Sequence, residues 1–176
     1  TNGIVAERYE DNYYWFQHDQ SHPNCKNQAV IYCYVDDKLH SARYYHCGRL
    51  YQRYDKHLPS VIYYDNLTEI TKIWYSCGKI HRGQDMPAYI TLNSQFWYSY
   101  GVLHRAYDRP AAIYLDCTRI WYKRGQIHRN AIDRNGAPLP AAINKHTSVW
   151  YTNGIIVDYQ EINTDNNCNV DNLFLI

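Results

Sequence analysis

Apolar and aromatic residues along this chain fall in short pieces split by glycine, proline and asparagine, and no 3.6-residue apolar stripe of useful length runs through it. Such pieces predict short strands joined by turns. The most regular stretch starts at Trp74 as WYSCGKIHRGQDMPAYI. It returns at Trp97 as WYSYGVLHRAYDRPAAI and at Trp121 as WYKRGQIHRNAIDRNGAPLPAAI. The shared frame is WYxxGxxHR, then Asp, then PAxI, with starts 23 and 24 residues apart. Repetition at that period marks stacked units, none of which buries enough surface to fold alone.

Weaker copies extend the frame in both directions. Trp150 opens WYTNGIIVDYQEI, which keeps the aromatic pair and Gly154 but loses His-Arg. Tyr44 opens YYHCGRLYQRYDKHLPSVI, with Tyr51 and Gln52 in the His-Arg places. Trp15 opens WFQHDQSHPNCKNQAVI, where Asp19 replaces the glycine and His22 survives. TNGIVAERYED at 1–11 matches TNGIIVDYQE at 152–161 and reads as a copy whose aromatic pair precedes Thr1. The expectation is one repeat domain over 1–176. It has a partial copy in 1–14, copies starting near 15, 44, 74, 97, 121 and 150, and a polar tail at 163–176 whose VDNLFLI end is able to dock a last strand. Two intervals are long, 30 residues from Tyr44 to Trp74 and 29 from Trp121 to Trp150. The extra length sits at His57-Leu58 and in NGAPL, where loops on a rim are expected.

Within a copy, one strand ends in the aromatic pair, as in 95–99. A tight turn follows, then a strand through 102–105, a proline-containing link and a strand around 111–115. Gly78, Gly101, Gly125 and Gly154 take the positive-φ place of the turn. Asn153-Gly154 and Asn2-Gly3 are the strongest hairpin signals, and Asp36-Asp37 is turn-like. Pro87, Pro110 and Pro140 stand at strand starts, where a missing N–H is harmless. Alternation sends Trp74, Trp97 and Trp121 to one face, with Ile and Ala, and Tyr75, Tyr98 and Tyr122 to the other; Trp150 and Tyr151 repeat the pair. The fold class is therefore all-β: an elongated twisted antiparallel sheet or β-solenoid of tandem hairpins.

Composition supports this picture. The chain holds 20 Tyr, 5 Trp and 3 Phe among 176 residues, and aromatics favour a pleated, half-buried surface. Formal net charge is +1, with no basic run, so nothing steers the chain to nucleic acid or an acidic membrane. No stretch reaches the ~20 apolar residues of a membrane helix, and no leader pattern is present. Six cysteines, at 25, 33, 47, 77, 117 and 168, lack the CxxC spacing of a zinc site and read as mostly reduced and half-buried. Cys47 and Cys77 each precede a repeat glycine and are expected to lie near one another.

The recurring polar positions carry the candidate chemistry. His22, His81, His104 and His128 share one place. They read either as a metal-binding or titrating ladder or as turn residues that donate to backbone or pack on the next ring, and the second fits a ladder that does not converge. Arg82, Arg105 and Arg129 precede Asp85, Asp108 and Asp133. They suit ion pairs between copies or loop capping, since a guanidinium makes bidentate bonds; the alternative is phosphate or lipid headgroup binding. No GxSxG, HExxH, Walker loop or dinucleotide fingerprint occurs. No catalytic residue, metal or cofactor is expected.

WYxxGxxH resembles the MORN repeat superfamily, and the fuller HRxxDxPAxI pattern looks like the variant repeats abundant in giant viruses of amoebae. The resemblance spans nearly the whole chain and is closest over 74–143. Typical MORN copies carry His-Gly where this chain has His81-Arg82, His104-Arg105 and His128-Arg129. It implies an elongated antiparallel sheet acting as a scaffold or contact surface, and a virion-associated or minor capsid role. Implied partners are other proteins, capsid or virion proteins among them, or a second copy joined edge to edge. The alternatives are a lipid- or ligand-binding module and an enzyme.

Overall fold

Short alternating strands with tight turns can satisfy their backbone only by pairing with neighbours, and the described strands of this chain do so. The computed structural model describes the backbone of residues 4–9, 12–18, 28–46, 49–51 and 57–162, and the side chains of 31–45, 49–51 and 57–162. The expectations for Asn2-Gly3, Asp19, His22, Cys25, Cys47, Cys168 and the 163–176 tail lie outside these residues. The fold is all-β, with one large, open, antiparallel sheet of 14 strands among the described residues and three separate two-stranded hairpins. Chain contacts divide it into two compact units, 1–82 with 88–92, and 83–87 with 93–176, where the repeat frame alone expects one domain.

The first unit contains β1 (Ile4–Tyr9), β2 (Asn12–His18), β3 (Gln28–Val35), β4 (Lys38–His46), β5 (Arg49–Leu50), β6 (Val61–Asp65), β7 (Thr68–Ile73), β8 (Tyr75–Ser76), β9 (Lys79–Ile80) and β10 (Tyr89–Thr91). Its part of the sheet runs β1-β2-β3-β4-β6-β7-β10, with β5 also on β4 and β8 paired only to β9. The second unit contains β11 (Ser94–Phe96), β12 (Tyr98–Ser99), β13 (Val102–Leu103), β14 (Ala112–Tyr114), β15 (Arg119–Ile120), β16 (Tyr122–Lys123), β17 (Gln126–Ile127), β18 (Ala142–Ile143), β19 (Thr147–Thr152) and β20 (Ile155–Glu161). Its part runs β11-β14-β15-β18-β19-β20, with β12-β13 and β16-β17 as separate hairpins.

Two kinds of hairpin alternate. The long ones, β3-β4, β6-β7 and β19-β20, turn at Asp36-Asp37, Asn66-Leu67 and Asn153-Gly154, where both turn residues have positive φ. That is the turn whose twist matches paired strands. In each, the register slips at the third residue after the turn, leaving His40, Ile70 and Val157 as single-residue bulges. The short hairpins turn at Cys77-Gly78, Tyr100-Gly101 and Arg124-Gly125, again with both residues at positive φ. The glycine half of each turn is legible from sequence. The left-handed Cys77, Tyr100 and Arg124 are not, because such side chains disfavour that conformation.

The expected strand over 95–99 is in fact two. It breaks at Trp97, whose N–H donates to the Ala111 carbonyl in the large sheet at 2.8 Å and whose carbonyl accepts the His104 N–H of the short hairpin at 3.1 Å. The strand expected over 102–105 pairs only at Val102–Leu103, since His104 and Arg105 turn away after that bond. Trp74 and Trp121 pivot in the same way, on Ala88 with His81 and on Ala141 with His128. Ala88, Ala111 and Ala141 are almost wholly buried, which explains the small residue in PAxI. The weak copy at Tyr44 follows the scheme. Tyr44 donates to the Ser60 carbonyl, its own carbonyl accepts from Tyr51, and Ser60 is fully buried in the alanine position.

Cys33 and Cys77 are free thiols, and Cys77 is exposed. Cys117 is disulfide-bonded. Two of the three described cysteines are free thiols, in line with the expectation that most are reduced, while the exposed Cys77 departs from the expected half-burial.

Candidate functional site

The guanidinium of the arginine after each repeat histidine stands over the tryptophan ring of its own copy. The guanidinium carbon stands 3.8 Å from the ring centre for Arg82 on Trp74 and for Arg105 on Trp97, and 4.0 Å for Arg129 on Trp121. The cation faces the negative π cloud, and the planar group shields the buried indole from water. The same arginine then reaches back one copy. Arg105 holds both oxygens of Asp85, through Nε at 2.8 Å and a terminal nitrogen at 2.9 Å. Arg129 holds Asp108 likewise, at 2.8 and 2.7 Å. The remaining terminal nitrogens donate to the Pro110 and Pro140 carbonyls at 3.3 and 3.2 Å.

The indole N–H makes a second link to the preceding loop. Trp97 donates to the Asp85 carbonyl at 2.9 Å, Trp121 to the Asp108 carbonyl at 3.0 Å, and Trp74 to His57 at 3.2 Å. A third link joins the turns: the N–H groups of Gly78, Gly125 and Gly154 donate to Leu50, Leu103 and Ile127, each at 3.0 Å. Tryptophan, arginine, aspartate and glycine of the repeat frame thus form one clasp between neighbouring copies. Ion pairs between copies or loop capping are expected of these arginines, and the structure pairs Arg105 with Asp85 and Arg129 with Asp108, in each case the Asp of the previous copy.

Asp133 follows from the same logic. The copy after it begins at Trp150 and has no His-Arg, so no repeat arginine reaches back to it. Its carboxylate instead accepts the Asn135 and Ala137 N–H groups, both at 2.8 Å, and closes the inserted loop around Gly136. Leu139 N–H to Ala131 carbonyl and the Ile132–Pro138 bridge complete that excursion.

Among the repeat histidines, His128 acts as an acceptor. His128 Nδ1 accepts the Asn153 N–H at 3.2 Å, at the turn of the next hairpin, and its Nε2 meets the Asn130 side chain. This corrects the direction expected for that histidine, which accepts from backbone rather than donating to it. His81 and His104 occupy the same backbone place, each bonding its tryptophan through N–H. Among the described residues no three metal-ligating side chains converge.

Tyr75, Tyr98, Tyr122 and Tyr151, second in the aromatic pairs, are half-buried. Burial first, then the phenols of Tyr114, Tyr98 and Tyr151, push the Tyr122 hydroxyl above its ordinary pKa. Tyr75 is raised by burial and by Tyr63 and Tyr45. Each unit therefore carries its own cluster of tyrosines. Between the loops after Leu103 and Ile127 lies an open cleft of about 380 Å³, lined by His104, Arg109, Tyr122, Lys123 and Asn130 among others. Comparison with protein-family models, curated proteins and solved structures gives no match for this chain.

Proposed function

We propose that this chain is a non-enzymatic scaffold, a tandem MORN-like repeat that presents a β surface to other proteins. The observation that carries the reading is the clasp. The repeat's arginine, aspartate, tryptophan and turn glycine bond one copy to the next, which is what a chain built for length and rigidity requires. The half-buried tyrosines supply the complementary feature, since phenols combine broad apolar contact with a polar tip and little entropy to lose. The virion-associated or minor capsid role follows from the resemblance of WYxxGxxHRxxDxPAxI to the repeats of giant viruses. A lipid-headgroup role for the arginine row is the weaker reading, because Arg105 and Arg129 already hold a carboxylate and a backbone carbonyl each.

Cross-linking in the intact particle, followed by mass spectrometry, tests the proposal. It predicts recurrent cross-links from this chain to the same one or two structural proteins. A monodisperse monomer with no neighbour in the particle would overturn it.

A further inference from the structure

The cleft between the loops after Leu103 and Ile127 is the place where the repeat departs from its own pattern. The copy that starts at Trp121 carries the inserted residues around Gly136, and these fold into a closed excursion beside the cleft. Lys123 lines the cleft where the other copies have Ser76, Ser99 and Thr152. It is exposed, and among the described residues its side chain makes no hydrogen bond or ion pair, while its backbone pairs with Gln126. Arg109 stands where the previous copy has Met86 and keeps only one nitrogen on Asp85.

The charge around the cleft is one-sided. Arg105, Arg109, Lys123 and Arg129 line the cleft with Asp108, and with Asp85, which Arg105 and Arg109 hold, this makes four cations against two anions, an excess of two in a chain whose net charge is +1. The two carboxylates are fully engaged by Arg105, Arg109 and Arg129, which leaves Lys123 and the outer side of Arg109 to attract an incoming anion. Tyr122 forms an aromatic wall, and Tyr107 at the rim is 86% exposed, an uncommon position for an aromatic ring without a partner surface. A volume near 380 Å³ is at the small end of ligand sites, ~300–1,000 Å³, and it admits a few side chains of an extended segment.

We infer that this cleft takes an acidic peptide segment of a partner protein, with a Glu or Asp carboxylate on Lys123 and Arg109 and an apolar or aromatic side chain against Tyr122 and Tyr107. The inference rests on the scaffold reading and specifies the partner's chemistry. Charge complementarity selects the carboxylate, and the open, aromatic-rimmed shape selects a peptide over a free ion.

The test is an NMR titration of the full chain with two capped pentapeptides, Gly-Glu-Phe-Glu-Gly and Gly-Gln-Phe-Gln-Gly, and separately with inorganic phosphate and glucuronic acid at matched ionic strength. Saturable shifts at Lys123, Tyr122 and Asn130 are expected with the Glu peptide. Binding should be at least ten-fold weaker for the Gln peptide and for the Lys123→Glu variant, whose melting temperature should match the parent's because the Lys123 side chain is exposed and makes no hydrogen bond or ion pair among the described residues. No saturable shift, equal binding of both peptides, or equally tight saturation by phosphate or glucuronic acid would each overturn the inference. A failure here leaves the particle cross-linking result untouched, so the two proposals fall separately.

Discussion

At Trp97, side-chain volume, an indole donor and a π face all serve the same junction. The ring is 6% exposed, packs with Ala111 and Ile113, donates to the Asp85 carbonyl and carries Arg105 on its face. Truncation to alanine should therefore cost about 3–5 kcal/mol, read by urea denaturation. Trp150→Ala should cost clearly less, because Trp150 is only partly buried and no repeat arginine follows it. Equal losses would mean that burial under the arginine contributes nothing. Asp85 brings a pH dependence. Hydrogen bonds from Arg105, opposed by partial burial and reinforced by Arg109, hold its carboxyl below the ordinary carboxylate range. A carboxylate with a lower pKa folded than unfolded stabilises fully above the unfolded value, about 3.9. That contribution is lost as pH falls through the folded value. Stability measured from pH 6 downward should show this acid loss in the parent and a smaller one in Asp85→Asn. An identical acid limb in both would remove Asp85 from the account.

The turns set the geometry of each hairpin. Gly125 and Gly154 have φ of 84° and 83°, so a side chain at either is strained by about 1–2 kcal/mol. A methyl at Gly125 would also meet the Val102 side chain at 3.3 Å, whereas at Gly154 it meets nothing within 4 Å. Gly125→Ala should lower the melting temperature more than Gly154→Ala, and the reverse order would contradict the packing of successive turns. These glycines, the proline-led strands and the buried tryptophan face are all legible in the sequence, because each follows from local sterics or alternation. The division of the strand at Trp97 is not. Phe96-Trp97-Tyr98 alternates smoothly, and only the bonds to Ala111 on one side and His104 on the other reveal the pivot. The Asn66-Leu67 turn is equally hidden, since leucine gives no turn signal even though it adopts a φ of 68°.

Among the described residues, the clasp ties weak local hairpins to their neighbours, with both Arg-Asp pairs in the second unit. The two-stranded hairpins are too short to persist alone, and each copy is completed by the next. The sequence marks the clasp residues and suits them to ion pairs between copies, but it leaves open which neighbour each arginine reaches: Arg105 holds Asp85 of the copy before. That direction depends on the path of the loops, which no local pattern encodes. Where the Trp150 copy lacks His-Arg, the Asp133 that a repeat arginine would hold caps its own loop instead. The account is tested most directly by double-mutant cycles on urea stability, comparing Arg129 with Asp108 and Arg129 with Asp85. It predicts a coupling of about 1–2 kcal/mol for the first pair and near zero for the second. Additive effects for Arg129 and Asp108, or equal coupling in both cycles, would contradict the copy-to-copy clasp.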